Sequence, residues 1–107
     1  MILQINFNLN VPVAEYQKMA DSVAHAFLEV PGLTWKIWLL NPAAQEAGGI
    51  YCFDSQASLD AYLNGPLVAQ LKTMPSIRDL SVKRFDVMTE ATAITRGPIE
   101  AVLASNA

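Results

Sequence analysis

The chain has 107 residues, 52% hydrophobic and 16% charged, with a formal net charge of -3. That length fits one domain able to bury its own core. The acidic balance, with Lys83-Arg84 as the only adjacent basic pair, excludes the positive stripe that a nucleic-acid partner requires.

Ile2 to Asn10 alternates strictly, with Leu3, Ile5, Phe7 and Leu9 on one side and Gln4, Asn6, Asn8 and Asn10 on the other. That period of two predicts a strand with one apolar face. Asn10-Val11-Pro12 then supplies a cap and a proline suited to a first helical turn. From Val13 to Leu28 the period becomes helical. Tyr16, Met19, Ala20, Val23 and Phe27 share one arc, while Lys18, Asp21, Ser22, His25 and Glu29 fall opposite. Val30-Pro31-Gly32 ends the helix.

Leu33 to Leu40 predicts the second strand, closed by Asn41-Pro42, and Gln45 to Asp54 the third, joined as an antiparallel hairpin. Asp54-Ser55 caps a second helix with Leu59, Tyr62 and Leu63 on one face. Gly65-Pro66 interrupts it, and Leu67, Val68 and Leu71 continue as another helical piece to Met74-Pro75. Leu80 to Met88 predicts the last strand, Leu80 and Val82 facing away from Phe85 and Val87.

The order βαββαβ is the ferredoxin-like α+β arrangement, a four-stranded antiparallel sheet with its helices on one face, spanning residues 1–88. The other face is apolar as well, since Trp35 and Ile37 oppose Trp38 and Leu40 across the second strand. A second copy of the same sheet is the simplest cover, so a homodimer is expected. The tail, 89–107, is broken by Gly97-Pro98. Ile99 to Leu103 suits one or two helical turns, and the tail is expected to lie over the partner subunit or to be partly disordered. With no basic leader and no long apolar run, a soluble cytoplasmic protein without membrane contact is expected.

The polar inventory excludes several chemistries. His25, the only histidine, lies on the solvated arc, and Cys52, the only cysteine, sits mid-strand as an inert buried thiol. One histidine and one cysteine in separate places make neither a metal site nor a nucleophile-histidine triad. Gly48-Gly49 inside a strand is no phosphate loop.

What remains is an aromatic, amide-bearing sheet. Gly48-Gly49 marks a bulge, a close approach of ligand or backbone, or a notch for Trp35 or Trp38. Lys36 shares a side with Trp38 and either pairs with Glu46 across the hairpin or orients an anionic ligand. Trp35 and Trp38 point to opposite faces, and Asn6, Asn8 and Thr34 are candidate acceptors for their indole N–H groups. Tyr51 and Tyr62 are either core residues or ligand contacts. Asn6 and Asn8 either meet across a dimer interface or point at a bound molecule.

Pro31-Gly32-Leu33-x-Trp35-Lys36-x-Trp38, Glu46-Ala47-Gly48-Gly49-Ile50-Tyr51-x-Phe53, Ala61-Tyr62-Leu63 and Phe85-Asp86-Val87 closely resemble the YdhR-like monooxygenases. These belong to the dimeric α+β barrel superfamily that includes the antibiotic-biosynthesis monooxygenases. The resemblance runs from Gln4 to Val87; its first two blocks are specific and the rest is ordinary core pattern. It implies a ferredoxin-like subunit whose sheets pair into a barrel, and the name monooxygenase, for this family itself an inference by similarity. Relatives that oxidise aromatic polyketides use neither flavin nor metal, so no cofactor is expected. Haem-degrading members rely on a histidine facing the pocket, a role His25 does not fit, and haem is excluded.

The expected function is therefore cofactor-independent oxygenation of a small aromatic or quinol-type compound through a substrate anion and O2. In this reading Asn6, Lys36 and Trp38 act on the substrate, and Trp35, Tyr51, Asn8, Gly48, Gly49 and Tyr62 surround it. The alternatives are a non-catalytic dimeric binder of a small molecule, or an isomerase, cyclase or decarboxylase on the same scaffold.

Overall fold

The computed structural model describes residues 1–99. The alternation in the first segment becomes β1 (Ile2–Leu9), which buries Leu3, Ile5, Phe7 and Leu9. β1 is central, with β3 (Glu46–Phe53) on one side and β4 (Ile77–Phe85) on the other, while β2 (Leu33–Asn41) extends the sheet beyond β3. The order is β2-β3-β1-β4 and every neighbouring pair is antiparallel. This is the ferredoxin-like sheet that the sequence order implies.

α1 (Val13–Val23), α2 (Gln56–Leu63) and α3 (Pro66–Thr73) cover one face. The helix read as continuous from Val13 to Leu28 tightens into a 3-10 segment over Ala24–Glu29, which carries Phe27 onto the same core. Ser55 caps α2, its hydroxyl accepting from the Ser58 N–H at 3.1 Å. Ser55→Ala is expected to lower the unfolding free energy by about 1 kcal/mol, read from urea unfolding at constant m-value. Arg84 of β4 pairs with Asp60 of α2 and ties that helix to the sheet.

β4 starts earlier than its sequence pattern suggests, at Ile77 rather than Leu80, and ends at Phe85 rather than Met88. The reason is a bulge. Asp79 has a positive φ of 56°, and the β1–β4 register shifts between Asn6 and Asn8. Asn8 Nδ2 donates to Asp79 Oδ2 at 2.9 Å, and Arg78 donates to Asn10 Oδ1 at 2.9 Å, bracketing the irregularity. The bulge breaks the alternation N-terminal to Leu80.

α4 (Thr89–Ile94) and residues 95–99 fold back onto the outer face of the sheet. Ile99 is buried there with Cys52, against Ile2, Trp35 and Val87. The Trp35 indole donates to the Pro98 carbonyl at 2.5 Å. Its acceptor is thus in the tail, not Asn6, Asn8 or Thr34 as the strand pattern suggested. The rest of the proposed helical turns at Ile99 to Leu103 lies outside the described residues. Elsewhere on this face Ile37 and Phe85 remain 49% and 46% exposed.

Candidate active site

The helices do not close fully on the sheet. Between α1, its 3-10 extension, α3 and the strands lies a cavity of about 530 Å3, whose wall includes Tyr16, Phe27, Lys36, Trp38, Tyr51 and Tyr62. Its size suits a small-molecule guest, and its wall is mostly apolar with few polar groups.

Strand periodicity brings Lys36 and Trp38 here. Lys36 lies opposite Tyr51 and Trp38 opposite Gly49, on the face that β1 turns to the helices. Gly49 makes room for the lysine stem: a Cβ at that position would lie 2.8 Å from Lys36 Cε and 3.1 Å from Tyr51 Cε1. The amine ends among ring faces. Nζ is 3.4 Å from the Trp38 ring centroid, 3.7 Å from that of Phe27 and 4.6 Å from that of Tyr51.

No carboxylate pairs with this amine among the described residues. Glu46, the partner proposed from sequence, lies across from Asn41 and Asn8 at the far end of β3 and points to the outer face. The Lys36–Glu46 pair is therefore not formed. Two influences act on the amine. The ring faces favour the ammonium, but loss of hydration favours the neutral form and is the larger effect, pushing its pKa down to about 7.

Besides the polar side chains of Gln70 and Thr73, the wall carries three phenols, Tyr16, Tyr51 and Tyr62. Tyr62 donates to the Tyr51 hydroxyl at 3.3 Å, with ring centroids 5.2 Å apart. Burial pushes Tyr51 upward, and the neighbouring Tyr62 adds to the effect. Burial likewise raises Tyr62, outweighing the opposing hydrogen bond to Tyr51, and it raises Tyr16. All three stay neutral hydrogen-bond donors across the pH range in which Lys36 titrates.

Of the residues singled out from sequence, the structure brings Lys36, Trp38, Tyr51, Tyr62 and Gly48 to this cavity, with Gly49 beneath the lysine stem. It does not bring Asn6, Asn8 or Trp35 there. All three face the other side of the sheet, where Asn6 accepts from Gln4 Nε2 at 2.8 Å, Asn8 donates to Asp79, and Trp35 donates to Pro98. A strand turns alternate side chains to opposite faces, so the sheet itself separates them from a guest beside Lys36. Phe27 and Tyr16 are wall residues that the sequence reading assigned only to a core arc. That arc, through Tyr16, Met19, Val23 and Phe27, is one side of the cavity.

His25 is exposed, Cys52 is buried, and no group of three His, Cys, Asp or Glu side chains forms a metal-holding cluster among the described residues. Nor, among those residues, is any helix long and apolar enough to cross a membrane.

Three solved structures illustrate the fold likeness. A Nitrosomonas europaea protein of unknown function superimposes with a TM-score of 0.70 at 16% identity, covering 81% of this chain and 87% of that one. The heme-degrader MhuD from Mycobacterium tuberculosis gives 0.64 at 21% identity, over 82% and 96% of the two chains. A variant of SnoaB, a cofactor-independent oxygenase from Streptomyces nogalater, gives 0.61 at 14% identity, over 81% and 94%. At these identities the likeness is one of fold. Comparison with curated proteins gave no match. The family comparison is more specific: residues 2–98 match the model of the family described as "Putative mono-oxygenase ydhR", and the chain belongs to that family.

Proposed function

We propose that the protein is a cofactor-independent monooxygenase for a small aromatic or quinol-type compound, using the substrate's own electrons to reduce O2. The observation that carries this reading is the Lys36 amine, held among three ring faces on the wall of an apolar cavity and without a carboxylate partner among the described residues.

The chemistry follows from that amine. A phenol, hydroquinone or anthrone bound against Trp38 and Phe27 gives a proton to neutral Lys36, and the resulting ammonium stays beside the anion. The Tyr51 hydroxyl, accepting from Tyr62, keeps its own proton to donate to the anionic oxygen. The electron-rich anion passes one electron to O2. The radical pair then forms a C–O bond, and the peroxide oxygen takes the proton back from Lys36. For an anthrone-type CH2 group, the hydroperoxide loses water, its second carbon-bound hydrogen leaving in that water, and a carbonyl remains. One oxygen atom ends in the product and the other in water. The apolar wall limits competing hydration of the anion.

The functional unit in this reading is a homodimer, in which a second copy covers the outer face around Ile37 and Phe85. The family membership supports the oxygenase reading over the binder and isomerase alternatives.

Oxygen uptake with a panel of anthrones, hydroquinones and naphthols is the test. Uptake matched one to one with product, and a KM about tenfold higher in Trp38→Leu from loss of a ring face, are expected. Binding across the panel without uptake would replace the proposal with the binder reading. Turnover under strict anaerobiosis would replace it with an isomerase or decarboxylase.

A further inference from the structure

The same amine has a second competence that needs no oxygen. An amine that is neutral near physiological pH is a nucleophile, whereas an ordinary surface lysine is an ammonium without a lone pair. We infer that Lys36 condenses reversibly with the carbonyl group of an aromatic aldehyde or ketone in the cavity, making a covalent imine.

Three features of geometry support this. The amine is on the wall of a cavity of about 530 Å3, large enough for a guest of one to three fused rings. Among the described residues it has neither an ion pair nor a hydrogen bond that a carbonyl would have to displace. The rings of Phe27 and Trp38, with centroids 5.2 Å apart and nearly perpendicular, form an aromatic corner that holds the nitrogen at the cavity wall, beside which a planar aryl group would lie.

Burial, which lowers the amine's pKa to about 7 and so leaves a substantial neutral fraction near neutrality, adds to these. Among the described residues, the titratable groups on the cavity wall with Lys36 are the phenols Tyr16, Tyr51 and Tyr62, and no carboxylate there holds the charged form in place.

The step balances without a further reactant. The nitrogen lone pair adds to the carbonyl carbon, one N–H proton moves to the oxygen, and the carbinolamine loses water to leave C=N. Tyr51, whose ring centroid is 4.6 Å from Nζ, is the nearby phenol that would hydrogen-bond the departing oxygen. A protonated imine is again a cation, and the ring faces that now surround the ammonium would surround it. A flat carbonyl compound would thus be retained longer than its binding contacts alone allow. The inference shares the cavity with the oxygenase reading but depends on no step of it.

The test uses the full chain, kept anaerobic at pH 7, with 2-naphthaldehyde and cyanoborohydride to fix any imine as a secondary amine. Peptide mass mapping then reports which lysine carries the naphthylmethyl group. Lys18, Lys72 and Lys83 are exposed and serve as internal controls within the same molecules. We expect Lys36 to be modified at least tenfold faster than each, and excess 2-naphthol, which occupies the cavity without a carbonyl, to slow only Lys36. Lys36→Arg should lose that adduct and keep the slow surface ones. Labelling of Lys36 no faster than the surface lysines would overturn the inference. It would leave oxygen uptake as a separate question, since uptake is measured without any carbonyl compound.

Discussion

Lys36→Met is expected to abolish most oxygen uptake while making the protein more stable. As general base, Lys36 should contribute about 10²–10⁴-fold to kcat/KM, and the variant should lose that factor. Methionine has the length to lie over Gly49 and among the same rings, so the packing survives. What disappears is the cost of holding an amine in a dry place. Its pKa falls from 10.5 in the unfolded chain to about 7 in the folded one, so below pH 7 both states are protonated and the cost is fully present. Between pH 7 and 10.5 the unfolded chain binds the extra proton at Lys36, and the penalty from this residue shrinks as pH rises. Above 10.5 the cost is gone. At roughly 1.4 kcal/mol per unit, reduced for ring contacts and for solvent reaching the cavity, Lys36→Met should gain about 3 kcal/mol at pH 6 and almost nothing near pH 11. Wild-type kcat/KM should rise with pH through about 7 and level off. The phenols of Tyr16, Tyr51 and Tyr62 remain neutral throughout and do not add a competing titration there. Urea unfolding at pH 6 and 10 together with uptake at pH 5.5–9 checks both halves; a variant that keeps its uptake, or shows the same stability difference at both pH values, would remove Lys36 from the mechanism.

Most of the fold is legible in the sequence, because single-residue patterns determine it. Leu3, Ile5, Phe7 and Leu9 alternate and do line the buried side of β1, and the arc from Tyr16 to Phe27 does face the sheet. The site was legible only by halves. Lys36 and Trp38 have the same parity and were paired from the sequence. Which sheet face holds a cavity is another matter when both faces are apolar, since parity groups residues without saying what covers them. Asn6, Asn8 and Trp35 share the opposite face, and that face is partly occupied by the returning tail at Pro98 and Ile99. The Lys36–Glu46 pair failed for a similar reason. Residue types suggested it, but the hairpin register sets Glu46 against Asn41, five positions along β2 from Lys36. Asp79 was invisible as a bulge because its positive φ follows from the closing of β1 against β4.

The two adjacent glycines of β3 should respond to alanine in opposite ways, although sequence alone treats them as one feature. Neither has a positive φ, so the difference is one of space. A Cβ on Gly48 would lie 2.0 Å from the Ile5 carbonyl oxygen and 3.0 Å from Asn6 Cα, both backbone atoms of the central strand. Relief requires β1 and β3 to part where Ile5 faces Gly49 and Asn6 faces Gly48, in the middle of the sheet. A Cβ on Gly49 instead meets Lys36 Cε at 2.8 Å, near the end of a flexible side chain, and the Tyr51 ring at 3.1 Å. The lysine can swing aside; the strand cannot. Gly48→Ala is therefore expected to cost 3 kcal/mol or more, on the order of the most damaging single substitutions, and to leave a largely unfolded chain at 37 °C. Gly49→Ala should stay within about 1 kcal/mol of wild type, since only rotamers change. Its effect belongs to chemistry. With the amine moved from the faces of Trp38 and Phe27, oxygen uptake should fall by about tenfold or more, and the apparent pKa in its pH profile should move up from about 7 towards that of a solvated lysine. Urea unfolding followed by circular dichroism ranks the two variants, and the pH profile of Gly49→Ala reads the position of the amine. Equal stability losses would mean that the sheet can absorb a methyl group at Gly48; an unaltered pH profile in Gly49→Ala would mean that the notch over that glycine does not position Lys36.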